Sequence, residues 1–181
     1  MEFSHRERTG YRPSLVFRTH RDELSAVVAH LDAVRRVELI SRTEHATGRL
    51  ELLHRWLGTK AALPLIARPF VPEEVLVWLQ RTTWDESTLS AAWQIEVPGF
   101  GESIDCRGTN RYHETPGGSR IDIAGTFVFQ PDRVEEMAGV PSSTVPIVER
   151  MVVSLVVPLI ERSGAAVARY LEHTGAPKAE P

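Results

Sequence analysis

Hydrophobic and polar residues alternate through the middle of this chain, then recur at three- and four-residue steps near its end. Residues 36–43 and 49–57 read as strands joined by a turn through Ala46, Thr47 and Gly48, where Gly48 suits a positive φ. In the second of these, Leu50, Leu52, His54 and Trp56 share one face, and Arg49, Glu51, Leu53, Arg55 and Leu57 share the other. Further strands are expected at 75–84, 89–97, 103–113 and 120–129. Ala91, Trp93, Ile95 and Val97 fall on one side, as do Ile121, Ile123, Gly125, Phe127 and Phe129. Asp85-Glu86-Ser87, Pro98-Gly99 and Pro116-Gly117-Gly118 punctuate the run. Six strands in such close succession imply an antiparallel meander.

The flanks carry different periods. Residues 11–18, with Leu15, Val16 and Phe17, predict a short strand. Leu24, Val27, Val28, Leu31 and Val34 predict an amphipathic helix over 22–35, opened by Thr19 three residues before Asp22, in the manner of a capping box. Val148, Met151, Val152, Leu155, Val156, Leu159, Ile160, Val167, Tyr170 and Leu171 predict a long helix over 145–173. Thr144 is its expected cap, Pro146 falls in its first turn, and its length is about 40 Å. Pro158 removes a backbone donor inside it, so a kink is expected there. The resulting order is strand, helix, six strands, long helix. The expected fold is α+β: a seven-stranded curved antiparallel sheet wrapped around a long C-terminal helix. One domain over 11–173 is expected, with 1–10 and 174–181 as flexible tails.

Composition narrows the function classes. A chain of 181 residues holds one domain with a sizeable core. A formal net charge of −3 and the lack of a long basic run argue against nucleic acid as a partner. The single cysteine, Cys106, excludes an internal disulfide framework. Residues 1–13 are charged and polar, unlike a secretory signal, and the apolar run 151–160 is shorter than the roughly 20 residues a bilayer span needs. A soluble, cytoplasmic protein is expected, with peripheral contact at a membrane surface left open.

No catalytic or metal motif stands out. There is no Gly-rich phosphate loop and no His-Glu-x-x-His or Cys-x-x-Cys pattern, and the seven histidines lack metal-ligand spacing, so neither cofactor nor metal is expected. His54 lies in phase with Leu50, Leu52 and Trp56, either as a satisfied core histidine or as a polar group inside a cavity. Trp56, Trp78, Trp93, Ile95, Tyr112 and Phe127 on the strands, with Met151 and Leu155 on the helix, are the matching candidates. They are core if the interior is filled and ligand-binding residues if it is not. Arg42, Arg55, Arg81, Arg107 and Arg111 lie in strands, where cross-strand carboxylates on a solvated face, or an anionic ligand, would account for them. The segment 63–72 is apolar and proline-framed. It is either a connection buried under the helix, or a lid whose Leu63, Leu65, Ile66 and Phe70 meet a membrane while Lys60 and Arg68 meet phosphates.

The stretch Ile40-Ser41-Arg42, five residues, Gly48, one residue, Leu50, then Leu63-Pro64 and Arg68-Pro69-Phe70, resembles the PRELI/MSF1 family of phospholipid transfer proteins. The match is best over 36–72. The order of elements over 11–173 resembles the wider START-like (SRPBCC, helix-grip) superfamily. The resemblance implies a lipid pocket between sheet and helix, closed by 58–71, with Lys60 and Arg68 as head-group contacts. The final helix departs from the family's several lysines, having Arg150, Arg162 and Arg169 as its only basic residues.

Three functions follow as expectations. One is non-enzymatic binding, and possible intermembrane transfer, of a lipid or other hydrophobic small molecule. The second is a small START-like enzyme of the polyketide cyclase or dehydratase type, with His54, Arg81, Asn110 and Tyr112 as its polar pool. The third is an interaction protein with a solid core.

Overall fold

Seven strands pair antiparallel in the order β1-β7-β6-β5-β4-β3-β2, so the first strand in the chain closes against the last. They are β1 (Glu2–Thr9), β2 (Val34–Glu44), β3 (Arg49–Gly58), β4 (Val77–Asp85), β5 (Ser90–Glu96), β6 (Ile104–Thr115) and β7 (Gly118–Phe129). Helices α1 (Pro13–Asp22) and α2 (Leu24–Val27) and a single 3₁₀ turn (Val28–His30) connect β1 to β2. Helix α3 (Val145–His173) lies against β1, β7, α1 and α2. This computed structural model describes residues 1–60, 68, 76–98, 103–130 and 145–179, with the backbone alone for 145–156.

The meander forms where alternation calls for it. Inward residues of β3 (Leu50, Leu52, His54, Trp56) and β5 (Ala91, Trp93, Ile95) are buried, while their outward neighbours are partly or fully exposed. The tight turns also match: Gly48 has φ 76° and Gly117 has φ 71°. At the β6–β7 hairpin, Pro116 precedes that glycine, the order a type II turn favours. Outward carboxylates partner the strand arginines: Arg55 with Glu38, Arg81 with Glu51 at 2.8 Å, Arg49 with Asp85 at 3.1 Å.

The N-terminal third differs from the expectation. Residues 11–18 are not a strand. Pro13 opens α1, where its missing N–H costs nothing and its fixed φ suits a helix, and Val16, Phe17, Thr19 and His20 are buried. Nor is 22–35 one helix. Glu23 (φ −110°, ψ 19°) separates α1 from α2, Leu31 is already extended, and Val34 begins β2. Leu31 and Val34 fit a helical stripe, but the sheet buries them instead. Residues 2–9, expected as a loose tail, form β1. Phe3, His5, Glu7 and Thr9 turn inward and are half-buried.

Helix α3 spans the expected residues and contains Pro158. Its second half supplies Leu159, Ala166, Val167 and Leu171 to the core. Gly164 permits the closest approach: a Cβ there would stand 2.9 Å from Ile121 Cδ1 and 3.1 Å from Glu7 Cβ. The core side of the sheet therefore faces α1 and α3, and that is where the site lies.

Candidate functional site

The strand register lays the inward residues out in rows. His54 pairs with Gln80, Gln80 with Ile95, Ile95 with Cys106 and Cys106 with Phe127. The neighbouring row runs Leu52, Thr82, Trp93, Gly108 and Gly125. The two glycines make this row flat. A Cβ at Gly108 would stand 2.3 Å from Trp93 Cζ2, and one at Gly125 would stand 2.8 Å from Trp93 Cη2. The indole of Trp93 therefore lies across two strands and reaches Phe3, on which it stacks at 6.2 Å. Trp56 and Trp78 stack as a second pair, 5.7 Å apart and 14° from parallel.

A small cavity of about 40 Å³ lies between these aromatics and the helices. Trp56, Trp78, Trp93 and Ile95 form its apolar wall on the sheet, and Leu159 and Ile160 form it on α3. His20 of α1, Gln80, Asn110 and Ser163 add polar groups. The broader depression, about 770 Å³, is a shallow feature on the opposite, solvated face of the sheet, over Ala92 and Ala124. Polar groups of its rim such as Arg81 are exposed and ion-paired, so the buried groups of the small cavity are the better candidates for chemistry.

Those buried groups form a directed chain. Trp93 Nε1 can only donate, and it donates to Asn110 Oδ1 at 2.9 Å. That leaves the Asn110 amide to donate to the Tyr112 oxygen. The Tyr112 hydroxyl then has its proton free for His20 Nδ1, 2.8 Å away. The order makes His20 Nδ1 an acceptor, so its ring proton sits on Nε2. Burial holds His20 neutral, its pKa lowered to about 4, with His54 nearby adding to the effect. Burial alone lowers His54 to about 4. The Tyr112 phenol is pushed up by burial, against the Asn110 hydrogen bond, so it too is neutral at ordinary pH.

Trp56, Trp78, Trp93 and Ile95 thus come together at the cavity. His54, Tyr112 and Phe127 are buried on the same side of the sheet, without forming its wall. Lys60 and Arg68 are half-buried and do not line it. Arg81 lies on the outer face. Leu63, Leu65, Ile66 and Phe70 lie outside the described residues, as do the side chains of Met151 and Leu155. His20, Gln80 and Ser163 are members that the sequence reading missed. The glycines at 108 and 125, inside strands, were a legible sign that something packs close against the backbone there. Among the described residues, no group of three or more His, Cys, Asp or Glu is placed to hold a metal ion. Among the same residues no helix is long and apolar enough to cross a membrane.

No family model matches the chain, and no curated protein matches it. Solved structures do. TTHA0849 from Thermus thermophilus superposes with a TM-score of 0.68 at 16% identity, covering 97% of this chain and 100% of that one. The ZhuI aromatase/cyclase from Streptomyces sp. R1128 gives 0.65 at 13% identity, covering 98% and 99%. A point mutant of norcoclaurine synthase from Thalictrum flavum, in complex with a transition-state analogue, gives 0.56 at 12% identity, covering 96% of each chain. The fold is the Bet v1-like helix grip that these structures share. At these identities the likeness concerns the fold, and the narrower PRELI/MSF1 resemblance is not among what it supports.

Proposed function

We propose that the protein binds a small hydrophobic molecule between the sheet and α3. The observation that carries this is the placement of Trp56, Trp78 and Trp93 around one cavity that also holds isolated polar groups. At about 40 Å³ the cavity suits a water molecule or two, so a ligand enters by moving α3 or its side chains off the aromatics. Three of the four tryptophans border the cavity, so intrinsic fluorescence is a direct report. Native mass spectrometry for co-purified ligand, with fluorescence titration of small aromatic and aliphatic compounds, tests the proposal. A protein that carries nothing and whose emission no compound changes would refute it. Phospholipid transfer, with Lys60 and Arg68 at the phosphate and Leu63, Leu65, Ile66 and Phe70 at a membrane, is the narrower form. Transfer between liposomes tests it.

One observation favours a second reading, a small enzyme of the cyclase or dehydratase type. His20 and Tyr112 are both buried and 2.8 Å apart, and His20 borders the cavity. With Nδ1 taken by Tyr112 and its proton on Nε2, His20 is equipped to donate a hydrogen bond to a carbonyl oxygen, so that the neighbouring carbon loses a proton to water more readily. Exchange of the α-hydrogens of 1-tetralone in heavy water tests this. Faster exchange with wild type than with H20Q supports the reading, and equal rates remove it.

A further inference from the structure

Three donors around the cavity are already spent. Trp93 Nε1 is taken by Asn110 at 2.9 Å, Ser163 Oγ by the Ile160 carbonyl at 2.8 Å, and Gln80 Nε2 reaches Thr82 Oγ1 at 3.3 Å. Trp56 Nε1 meets no partner among the described residues, although Trp56 is only 6% exposed. An orphan donor of this kind is destabilising when nothing meets it.

Among the same residues Trp84 Nε1 is also buried without a partner, but its surroundings differ. Trp84 meets Phe17 and His20 edge to face, the setting in which a ring face serves as a weak acceptor. Trp84 does not border the cavity. Trp56 does, and it stacks nearly parallel on Trp78, 14° from coplanar. An indole N–H lies in the ring plane, so a stacked neighbour cannot receive it. With no partner for Trp56 among the described residues, the cavity it borders is the natural source of one: a water while it is empty, and a ligand atom when that water is displaced.

The same wall sets the charge of that ligand. Among the described residues no Lys, Arg, Asp or Glu borders the cavity. The titratable group that does border it, His20, is held neutral by burial. An ionised group placed here would be desolvated with no counter-charge among the described residues, at a cost far above that of an unmet hydrogen bond. We infer that the ligand of this cavity is a neutral, largely apolar molecule with one hydrogen-bond acceptor, such as a carbonyl oxygen, set against Trp56 Nε1. This rests on the ligand-binding reading above and deepens it. It names the ligand's polar end and argues against an anionic head group in the cavity.

The test uses three compounds on one carbon frame: 1-tetralone, tetralin, and tetralin-1-carboxylate. Each is titrated into the full chain by tryptophan fluorescence and by calorimetry. Tetralone is expected to bind about tenfold more tightly than tetralin, and the carboxylate more weakly than either. In W56F, which keeps a ring and removes the donor, the ratio of tetralone to tetralin affinity should fall to about one, whatever the change in affinity for either compound alone. A wild-type ratio near one overturns the inference without recourse to any variant. A preference that survives in W56F, or a carboxylate that binds best, overturns it as well. If tetralin and tetralone bind equally, only this inference falls. If no compound binds, the ligand-binding reading falls with it.

Discussion

The His20 Nδ1 atom of α1 stands 2.8 Å from the hydroxyl of Tyr112 on β6, with both side chains buried. This hydrogen bond ties a helix of the N-terminal third to the middle of the sheet, and it is the last link of the chain from Trp93 through Asn110. Replacing Tyr112 with Phe leaves the His20 Nδ1 acceptor unmet in a dry site. Y112F is expected to lose about 1–3 kcal/mol of stability. Urea unfolding measures this. A variant as stable as wild type would mean that the bond contributes nothing net.

Acid should weaken the fold through the histidines. Burial lowers His20 and His54 from 6.5 to about 4 in the folded protein. Between those values the unfolded chain binds protons that the folded chain refuses. Stability from these groups is therefore complete above about pH 6.5 and is lost as the pH falls toward 4, on the order of 3 kcal/mol for His20. The urea midpoint should drop across that window, and less steeply in H20Q. A midpoint that is flat from neutral pH to 4 would contradict the assignment.

Gly108 cannot carry a side chain at no cost. A methyl group there would meet Trp93 Cζ2 and the Ala124 carbonyl oxygen, each at 2.3 Å. G108A should lose about 1–3 kcal/mol and lift the indole off the sheet. The Trp93–Asn110 hydrogen bond then lengthens, and the tryptophan emission shifts with it. An unchanged spectrum and midpoint would show that the indole does not rest on this glycine.

Cys106 is inert on structural grounds. It is 1% exposed, and burial, with Asp105 adding to the effect, pushes its thiol up to about 12. Almost no thiolate forms near neutral pH, so iodoacetamide should label Cys106 only after unfolding. Mass spectrometry after alkylation of native and denatured protein makes the comparison. Rapid labelling of the native state would contradict this assignment.

The meander was legible because alternation is a strong signal when one sheet face is dry and the other wet. Leu50, Leu52, His54 and Trp56 declared their face by spacing alone. Helix α3 was legible for the same reason at a longer period. The N-terminal third was not. Leu15, Val16 and Phe17 are contiguous, and a run of three fits a strand or a buried helix equally, so Pro13 was the better guide. Strand β1 has one apolar inward residue, Phe3, and is held by pairing with β7 more than by its own pattern. The site inherits both outcomes. Its tryptophans were visible on their strands. His20 was not, because its position depends on α1 folding back over β6, a tertiary fact with no local trace.

The pairing of β1 with β7 also governs how the chain must assemble. Phe127 donates its N–H to the carbonyl of Met1 at 2.8 Å, across 126 positions in the chain. Six of the strands can pair neighbour to neighbour as they form, but β1 has no partner until β7 exists. Such remote closure is slow, because the loop entropy is lost before any contact rewards it. On a ribosome, β1 leaves the exit tunnel before the other strands and joins the sheet last. Until then the inner edge of β7 is open, and Ile121 and Ile123, both essentially inaccessible in the finished protein, lie beside that edge. Completion of the sheet, more than formation of the meander, is the step at which this protein is exposed to aggregation.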